Sequence, residues 1–397
     1  MSEAAVENSH RVRDWLDSGI PALTGHPDGP PLIPPGSAAS IARRHTDGIA
    51  AITEGRVRLD GARLLSERAA FTGSRRGGPI SAGRHCRLLP TADGWAAVSC
   101  ARPDDPVLLG ALVCADIGDD PWPAVTDWLR THTGAELAER AELLGIAAGP
   151  VGTAAATVPE PLAARPVAGL RVVDFSALWA GPLCAHLLGL AGARIMKVET
   201  PVRPDGARRG DPEFYRLLHG GHESVVLDPG DDNQRRALCD LVESADIVIE
   251  ASRPRALAGF GLNAQEFVDS GGTWVSITAH GRASNGIGFG DDIAATAGLV
   301  AHAGGNTPLF VGDAIADPLT GLAAATLAMS APADGSGHLW DIAMSAVVAA
   351  TLDTGSATVP ADESAVLAPR RREPMGLAAE SGRDTAAVLA ELGVRPG

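Results

Sequence analysis

The chain has 397 residues, of which 45% are hydrophobic, and it carries a formal net charge of −15 at pH 7. This length and composition predict a large buried core and more than one domain. The acidic balance argues against a nucleic-acid partner, because a nucleic-acid surface normally needs a basic patch.

The cysteines and the N-terminal residues indicate the cellular compartment. The five cysteines lie far apart and form no Cys-x-x-Cys pair, so we interpret them as reduced core residues rather than metal ligands. The polar first residues lack a secretory signal pattern, and no apolar run approaches the ~20 residues of a membrane helix. These features predict a cytoplasmic protein with no bound metal and no membrane partner.

The first part of the chain, residues 1–152, has the pattern of a small α+β domain. Residues 87–99 predict a hairpin, because two apolar runs flank an Asp-Gly turn. Helical stretches follow at 122–132 and 135–144. Residues 153–168 are rich in alanine and proline and form the predicted linker to the next domain.

Residues 170–199 have the pattern of one βαβ unit. A short apolar run rich in β-branched residues, typical of a buried parallel strand, is followed by Gly181-Pro182 and then by leucines at helical spacing. Pro182 suits the first turn of a helix, where its missing N–H costs nothing. Residues 194–198 then predict the second strand, and the helix N-terminus leaves N–H groups that can face an anion.

The alternation of strands and helices continues beyond this unit. Strands are predicted at 224–227, 246–249 and 273–278, with a helix at 233–242. This order predicts an α/β fold: a doubly wound, mostly parallel, Rossmann-like sheet whose ligand lies beyond the carboxyl ends of the strands. We assign residues 169–355 to this nucleotide-fold domain, and residues 356–397 to a further linker and a closing C-terminal helix.

A run of motifs within residues 169–199 resembles the class III CoA-transferases, the CaiB/BaiF type. That family typically shows Gly-x-x-Val-x-Asp-Phe-Ser, Ala-Gly-Pro, a leucine-rich helix and Gly-Ala-x-Val-x-Lys-Val-Glu. The matched positions are Gly169, Val172, Asp174, Phe175, Ser176, Ala180, Gly181, Pro182, Gly192, Ala193, Lys197, Val198 and Glu199. The resemblance implies the CoA-transferase family III fold. It is looser over residues 17–151, where blocks that the family places later in the chain come first.

Asp317 is the candidate nucleophile. It stands near the start of an apolar helix at 322–329, and an N-cap role worth ~1 kcal/mol would explain it without catalysis. The resemblance adds a catalytic role, because the family's nucleophile is an aspartate followed four residues later by glycine, here Gly321. A carboxylate can attack a thioester to give an acyl-aspartyl anhydride and then an aspartyl-CoA thioester.

Further candidates for the active site come from the same resemblance. Asp291 and Asp292 occupy a Gly-Asp-Asp-Ile run, where the family's racemases have a histidine base in Gly-His-Asp-Ile. The alternative is that both aspartates simply begin a helix. Gly304 and Gly305 could supply N–H groups for an oxyanion or form an ordinary turn. Trp179 could line the acyl pocket or belong to the core.

Coenzyme A, as the acyl-CoA substrate, is the cofactor that the resemblance implies. The candidate binding residues are those of the first turn and the loops after the strands: Ala180, Gly181, Pro182, Glu199, Arg208, Arg209, Arg253 and Arg255. The sequence departs from the family at two basic sites. Gly220-Gly221-His222-Glu223 stands where relatives have Arg-Gly-Lys-Arg, and Gly259 stands where they have arginine.

Three functions follow as hypotheses. The first is a CoA-transferase that moves CoA from an acyl-CoA to a small carboxylic acid through Asp317. The second is an acyl-CoA racemase or isomerase, and the third is a catalytically degenerate CoA-binding subunit, suggested by the missing basic residues. The resemblance also implies a homodimer.

Overall fold

The computed structural model describes residues 3–118, 120–152, 154–252, 254–353 and 357–393. Within these ranges the α-helices are α1 (Glu3–Ser18), α2 (Ala38–Ile52), α3 (Gly61–Leu64), α4 (Glu67–Thr72), α5 (Asp105–Val113), α6 (Trp122–Leu129), α7 (Gly134–Leu144), α8 (Ala180–Leu190), α9 (Pro212–His219), α10 (Asp232–Glu243), α11 (Pro254–Ala258), α12 (Ala264–Asp269), α13 (Gly290–Thr296), α14 (Ala316–Ala328), α15 (Met344–Ala349) and α16 (Thr385–Glu391). Short 3₁₀ helices lie at Pro21–Leu23 and Gly206–Arg209.

The strands of the same ranges are β1 (Leu32–Ile33), β2 (Cys86–Pro90), β3 (Trp95–Ser99), β4 (Ala148–Pro150), β5 (Ala163–Ala164), β6 (Arg171–Asp174), β7 (Arg194–Glu199), β8 (Glu223–Val226), β9 (Ile247–Glu250), β10 (Thr273–Thr278), β11 (Ala301–His302), β12 (Pro308–Leu309), β13 (Ser330–Ala331), β14 (His338–Ala343) and β15 (Val359–Pro360).

The main sheet of the described residues has six strands in the order β14-β10-β9-β6-β7-β8. All of its pairings are parallel. The chain winds from β6 through β7 to β8 on one side and from β9 through β10 to β14 on the other. The prediction of an α/β, doubly wound, parallel sheet is therefore confirmed, and the direction of winding changes between β6 and β9.

Alternate residues of the central strands face opposite sides of the sheet, and both sides are covered. Val172 and Val275 belong to one hydrophobic cluster together with α8 and α14. Val173 and Trp274 belong to another, which includes side chains of α10, α12 and α16. Burial on both faces explains why the strands read as continuous apolar runs in the sequence.

The βαβ unit that the sequence predicts is formed by β6, α8 and β7. Helix α8 begins at Ala180, one residue before the Gly-Pro pair, and Pro182 lies in its first turn as predicted. A side chain at Gly181 would overlap Ser176, because a Cβ there would lie 2.1 Å from the Ser176 Cβ. Likewise Gly321 brings α14 against α8, since its Cβ would be 2.6 Å from the Ala180 carbonyl oxygen.

The N-terminal helices pack on the main sheet domain. Trp15 of α1, Ile49 of α2 and Leu64 of α3 are buried in the same cluster as Leu183 of α8 and Leu319 of α14. A separate cluster joins β2 and β3 to α5, α6 and α7, which form the small α+β unit. The hairpin predicted at residues 87–99 is observed as β2 and β3. The boundaries proposed at residues 152 and 168 stay predictions.

The C-terminal residues return to the main domain. Strand β15 pairs with β1, and the predicted closing helix is α16, which packs beside β8. In the part of the chain that the structure describes, no helix combines the length and hydropathy that a membrane span requires.

Candidate active site

A pocket of about 140 Å³ lies at the carboxyl edge of the main sheet. Its walls come from the segments that follow β6, β9 and β10, and from the start of α15 after β14. This is the edge at which ligands of doubly wound sheets bind, next to the point where the winding reverses. Asp317, the candidate nucleophile, is among the residues that line the pocket.

Asp317 belongs to the first turn of α14 but is not its N-cap. The helix begins at Ala316 and Ile315 is the N-cap residue, so the sequence-based N-cap position was wrong. Pro318 explains the difference, because proline is tolerated in the first turn and need not mark the end of the preceding loop. The side chain of Asp317 is therefore available to the pocket instead of capping its own helix.

Gly290 holds the Asp317 carboxyl group closely. Its N–H donates a hydrogen bond to that carboxyl group. A Cβ at Gly290 would lie only 2.4 Å from the Asp317 Oδ2, so no other residue fits without moving the carboxylate. The start of α13 thus positions the candidate nucleophile.

Three carboxyl groups surround one arginine beside the pocket. The pKa of Asp317 is raised to about 7, mainly by burial; Arg68 opposes the increase, and the charges of Asp291 and Asp313 contribute to it. The pKa of Asp291 is raised to about 6, again mainly by burial and then by Asp313. Arg68 donates from Nε to the Asp313 Oδ2 at 2.9 Å, and Asp313 is fully buried. The arrangement keeps Asp317 near the boundary between its neutral and ionised forms at neutral pH.

The predicted pair Asp291 and Asp292 begins α13, which agrees with the simpler of the two interpretations. Asp291 accepts a hydrogen bond from the backbone N–H of Ala314 at 2.8 Å, three residues before Asp317. Asp292 accepts from the Ser99 hydroxyl at 2.6 Å, and burial raises its pKa to about 7. Asp292 thereby joins the small α+β unit to the main domain.

The other predicted site residues differ in whether they line the pocket, lie buried beside it or are exposed. Trp179 is the N-cap residue of α8 and is buried. The guanidinium carbon of Arg68 lies 4.9 Å from the centroid of the Trp179 ring, and the ring of Phe214 packs edge-on against it. Gly304 and Gly305 are exposed between β11 and β12. Ala180 lines the pocket, and the buried residues Gly181 and Pro182 continue its helix.

Among the candidate CoA-binding residues, Glu199 and Arg208 bind each other. The Arg208 Nε lies 2.9 Å from the Glu199 Oε1, and a second nitrogen of the same guanidinium contacts Oε2. Glu199 is buried, so it uses this arginine to neutralise its charge. Arg209 and Arg255 are exposed, and Arg253 lies outside the described residues.

The departure from the family pattern at Gly220 has a structural reason. A Cβ at this position would lie 2.0 Å from the Met375 carbonyl oxygen, and Gly221 donates from its backbone to the carbonyl of Leu377. The C-terminal segment therefore occupies the space that an arginine side chain would need.

Arg68 and Asp313 are the functional neighbours that sequence reasoning missed. Asp313 stands in the same Gly-Asp-Ala-Ile-Ala-Asp run as Asp317, so its spacing was a usable signal. Arg68 is 245 residues away from Asp313 along the chain, and nothing in its local sequence indicates the contact. Leu178 lines the pocket with a positive φ of 68°, a conformation that local sequence does not reveal.

Residues 167–376 match the model of CoA-transferase family III, and the chain therefore belongs to that family. It is 38% identical over 91 residues to the succinyl-CoA:mesaconate CoA-transferase of Haloarcula hispanica, covering 20% of this chain and 23% of that one. It is 28% identical over 208 residues to the succinyl-CoA–D-citramalate CoA-transferase of Chloroflexus aurantiacus, covering 48% and 52%. The crystal structure of a CaiB/BaiF family protein from Brucella suis matches with 26% identity, a TM-score of 0.42 and coverage of 47% and 55%. The chain thus spans about half or less of the length of these relatives.

Proposed function

We propose that the protein transfers CoA from an acyl-CoA donor to a carboxylic acid acceptor, with Asp317 as the nucleophile. The observation that carries the proposal is the position of Asp317 in the pocket at the carboxyl edge of the sheet. Family membership supports the reaction class. Coenzyme A enters as part of the substrate, and the absence of a metal and a homodimeric assembly stay predictions.

The proposed reaction has four displacement steps. The ionised Asp317 oxygen attacks the thioester carbonyl carbon and expels the CoA thiolate, which leaves an acyl-aspartyl anhydride. The thiolate attacks the aspartyl carbonyl carbon and expels the donor carboxylate, which leaves an aspartyl-CoA thioester. The acceptor carboxylate attacks this thioester and releases the thiolate. The thiolate then attacks the acceptor acyl carbon, forms the new acyl-CoA and restores the Asp317 carboxylate.

The surroundings of Asp317 suit this sequence of steps. Burial and the negative charges of Asp291 and Asp313 disfavour the carboxylate, which is why its pKa is raised to about 7. The same surroundings do not penalise an acylated Asp317, because that group is neutral. The environment therefore favours covalent intermediates relative to the free anion, while above pH 7 the nucleophile is ionised.

A non-catalytic CoA-binding role is the second candidate, because fewer side chains than the family pattern predicts are available to bind the phosphates of CoA. Arg208 is engaged by Glu199, and the C-terminal segment covers Gly220. The racemase hypothesis has less support, since the second base would be Asp291, whose Oδ1 accepts from the Ala314 backbone.

Intact-protein mass spectrometry after incubation with a panel of acyl-CoAs, with hydroxylamine trapping, tests the proposal. We expect an adduct on the wild type that is absent from Asp317→Ala. Asp334→Asn, at an exposed turn, is the matched control and should keep the adduct. Retention of CoA without any adduct would support the binding role instead, and absence of both would contradict both functions.

A further inference from the structure

The size of the pocket limits the group that can stand next to Asp317. Its volume of about 140 Å³ is close to that of an apolar protein cavity of ~150 Å³ that accommodates benzene. An acyl group of up to about six non-hydrogen atoms therefore fits within the pocket, whereas a long fatty acyl chain would have to extend out of its open side into solvent.

The walls of the pocket are mostly apolar. The larger apolar side chains are those of Leu178, Ile277, Ile287, Phe289 and Met344. Ser252 also lines the pocket, and its Oγ is buried without a hydrogen-bond partner. Thr278 and Ser284 line the pocket as well, so the described side chains of its wall offer three hydroxyls and no cation. Hydroxyls suit the neutral oxygens of a bound group, whereas a carboxylate is held most strongly by a cation.

The charges around the pocket are unfavourable for a second carboxylate. Asp317 lines it, and Asp291 and Asp313 are close enough to Asp317 to raise its pKa. None of the described lining residues is lysine, arginine or histidine. The nearby guanidinium of Arg68 is already bound to Asp313 and stacked on Trp179. An anionic end on the acyl group would be repelled by the ionised Asp317 and would find no cation to bind among these described residues. The acceptor carboxylate avoids this repulsion, because it reaches the pocket when Asp317 is acylated and neutral.

We propose that the acyl group handled at this pocket is short, uncharged and largely apolar, with up to about six non-hydrogen atoms. This inference rests on the proposed function and specifies its substrate class. It separates monocarboxylic acyl-CoAs with small alkyl chains from both dicarboxylic and long-chain acyl-CoAs.

Butyryl-CoA and succinyl-CoA form a matched pair, because both acyl groups have four carbons and they differ in a terminal methyl or carboxylate. The rate of adduct formation on Asp317, followed by mass spectrometry, should be at least about tenfold higher for butyryl-CoA. Decanoyl-CoA, which tests size alone, should also react at least about tenfold more slowly than butyryl-CoA. Met344→Ala enlarges the pocket and should therefore lower the ratio of the adduct-formation rates for butyryl-CoA and decanoyl-CoA. If this variant does not fold, Ile287→Ala, in a partly exposed loop of the pocket wall, provides the same test.

Equal rates for succinyl-CoA and butyryl-CoA would overturn the charge selectivity, and equal rates for decanoyl-CoA would overturn the size limit. In both cases adduct formation would still support transfer through Asp317. Failure of every acyl-CoA to label the wild type would instead contradict the proposed function itself.

Discussion

Replacing Asp317 by asparagine should stabilise the protein at alkaline pH while removing its reactivity. Folding raises the pKa of this carboxyl group from an ordinary value of 3.8 to about 7, mainly through burial. The folded state therefore prefers the protonated form, and the stability associated with it is lost as pH rises through about 7. Asparagine stays neutral at every pH and can still accept from the Gly290 N–H.

The size of the effect follows from the pKa difference. About three pKa units at ~1.36 kcal/mol each give an upper limit of ~4 kcal/mol above pH 7. Asp317 is partly exposed, so we expect a gain of about 2–4 kcal/mol in the free energy of unfolding at pH 8. The gain should shrink to a small remainder near pH 4 and towards zero below about pH 3.8, where the unfolded state of the wild type is protonated as well as the folded state.

Urea unfolding of wild type and Asp317→Asn at pH 4, 6 and 8 measures this gain. Asp313→Asn is the matched control, because it leaves the Arg68 guanidinium without its buried partner and should destabilise the protein by about 3 kcal/mol. An Asp317→Asn variant that is less stable at pH 8, or equally more stable at all three pH values, would refute the reasoning.

Three further changes have defined outcomes. Asp291→Asn removes a charge that raises the pKa of Asp317, so the midpoint of the pH–rate profile for adduct formation should fall below pH 7; an unchanged midpoint would contradict this. Arg68→Gln removes a charge that lowers the same pKa, so the midpoint in the same labelling assay should move upwards, and a downward shift would show that Arg68 does not act on Asp317. Leu178 has a left-handed backbone conformation and an exposed side chain, so Leu178→Gly should raise the free energy of unfolding, measured in urea, by about 0.5–1 kcal/mol. A loss of stability would mean that the contacts of the leucine side chain contribute more than the backbone strain costs.

The main sheet could be predicted because its signals are local. Strand β10 was placed at its observed bounds, and the βαβ unit within residues 170–199 was identified from apolar runs, Gly181-Pro182 and helical leucine spacing. Asp317 was placed near the start of a helix for the same reason. Its position within the first turn was missed, because Pro318 is compatible with either boundary.

The surroundings of Asp317 could not be predicted, because they depend on contacts between distant parts of the chain. Arg68 reaches Asp313 from a short helix in the N-terminal region, and Ser99 reaches Asp292 from the small unit. Glu199 at the end of β7 pairs with Arg208 in the 3₁₀ helix only nine residues later, yet no spacing rule separates an internal ion pair from two residues that bind phosphate. Side-chain partners decide such cases, and the sequence pattern does not specify them.

The distance along the chain between Arg68 and Asp313 has a consequence for synthesis of the protein. Asp313 emerges from the ribosome 245 residues after Arg68, which at typical rates of translation is roughly 12–50 s later. In the first part of that interval, before α8 and the strands between residues 171 and 278 have been made, the apolar faces of α1, α2 and α3 have no sheet to cover them. The small unit built from β2 to α7 already has its own core by then. The nascent N-terminal helices are therefore a natural target for chaperones that hold unfolded chains, whereas the small unit can fold while translation continues.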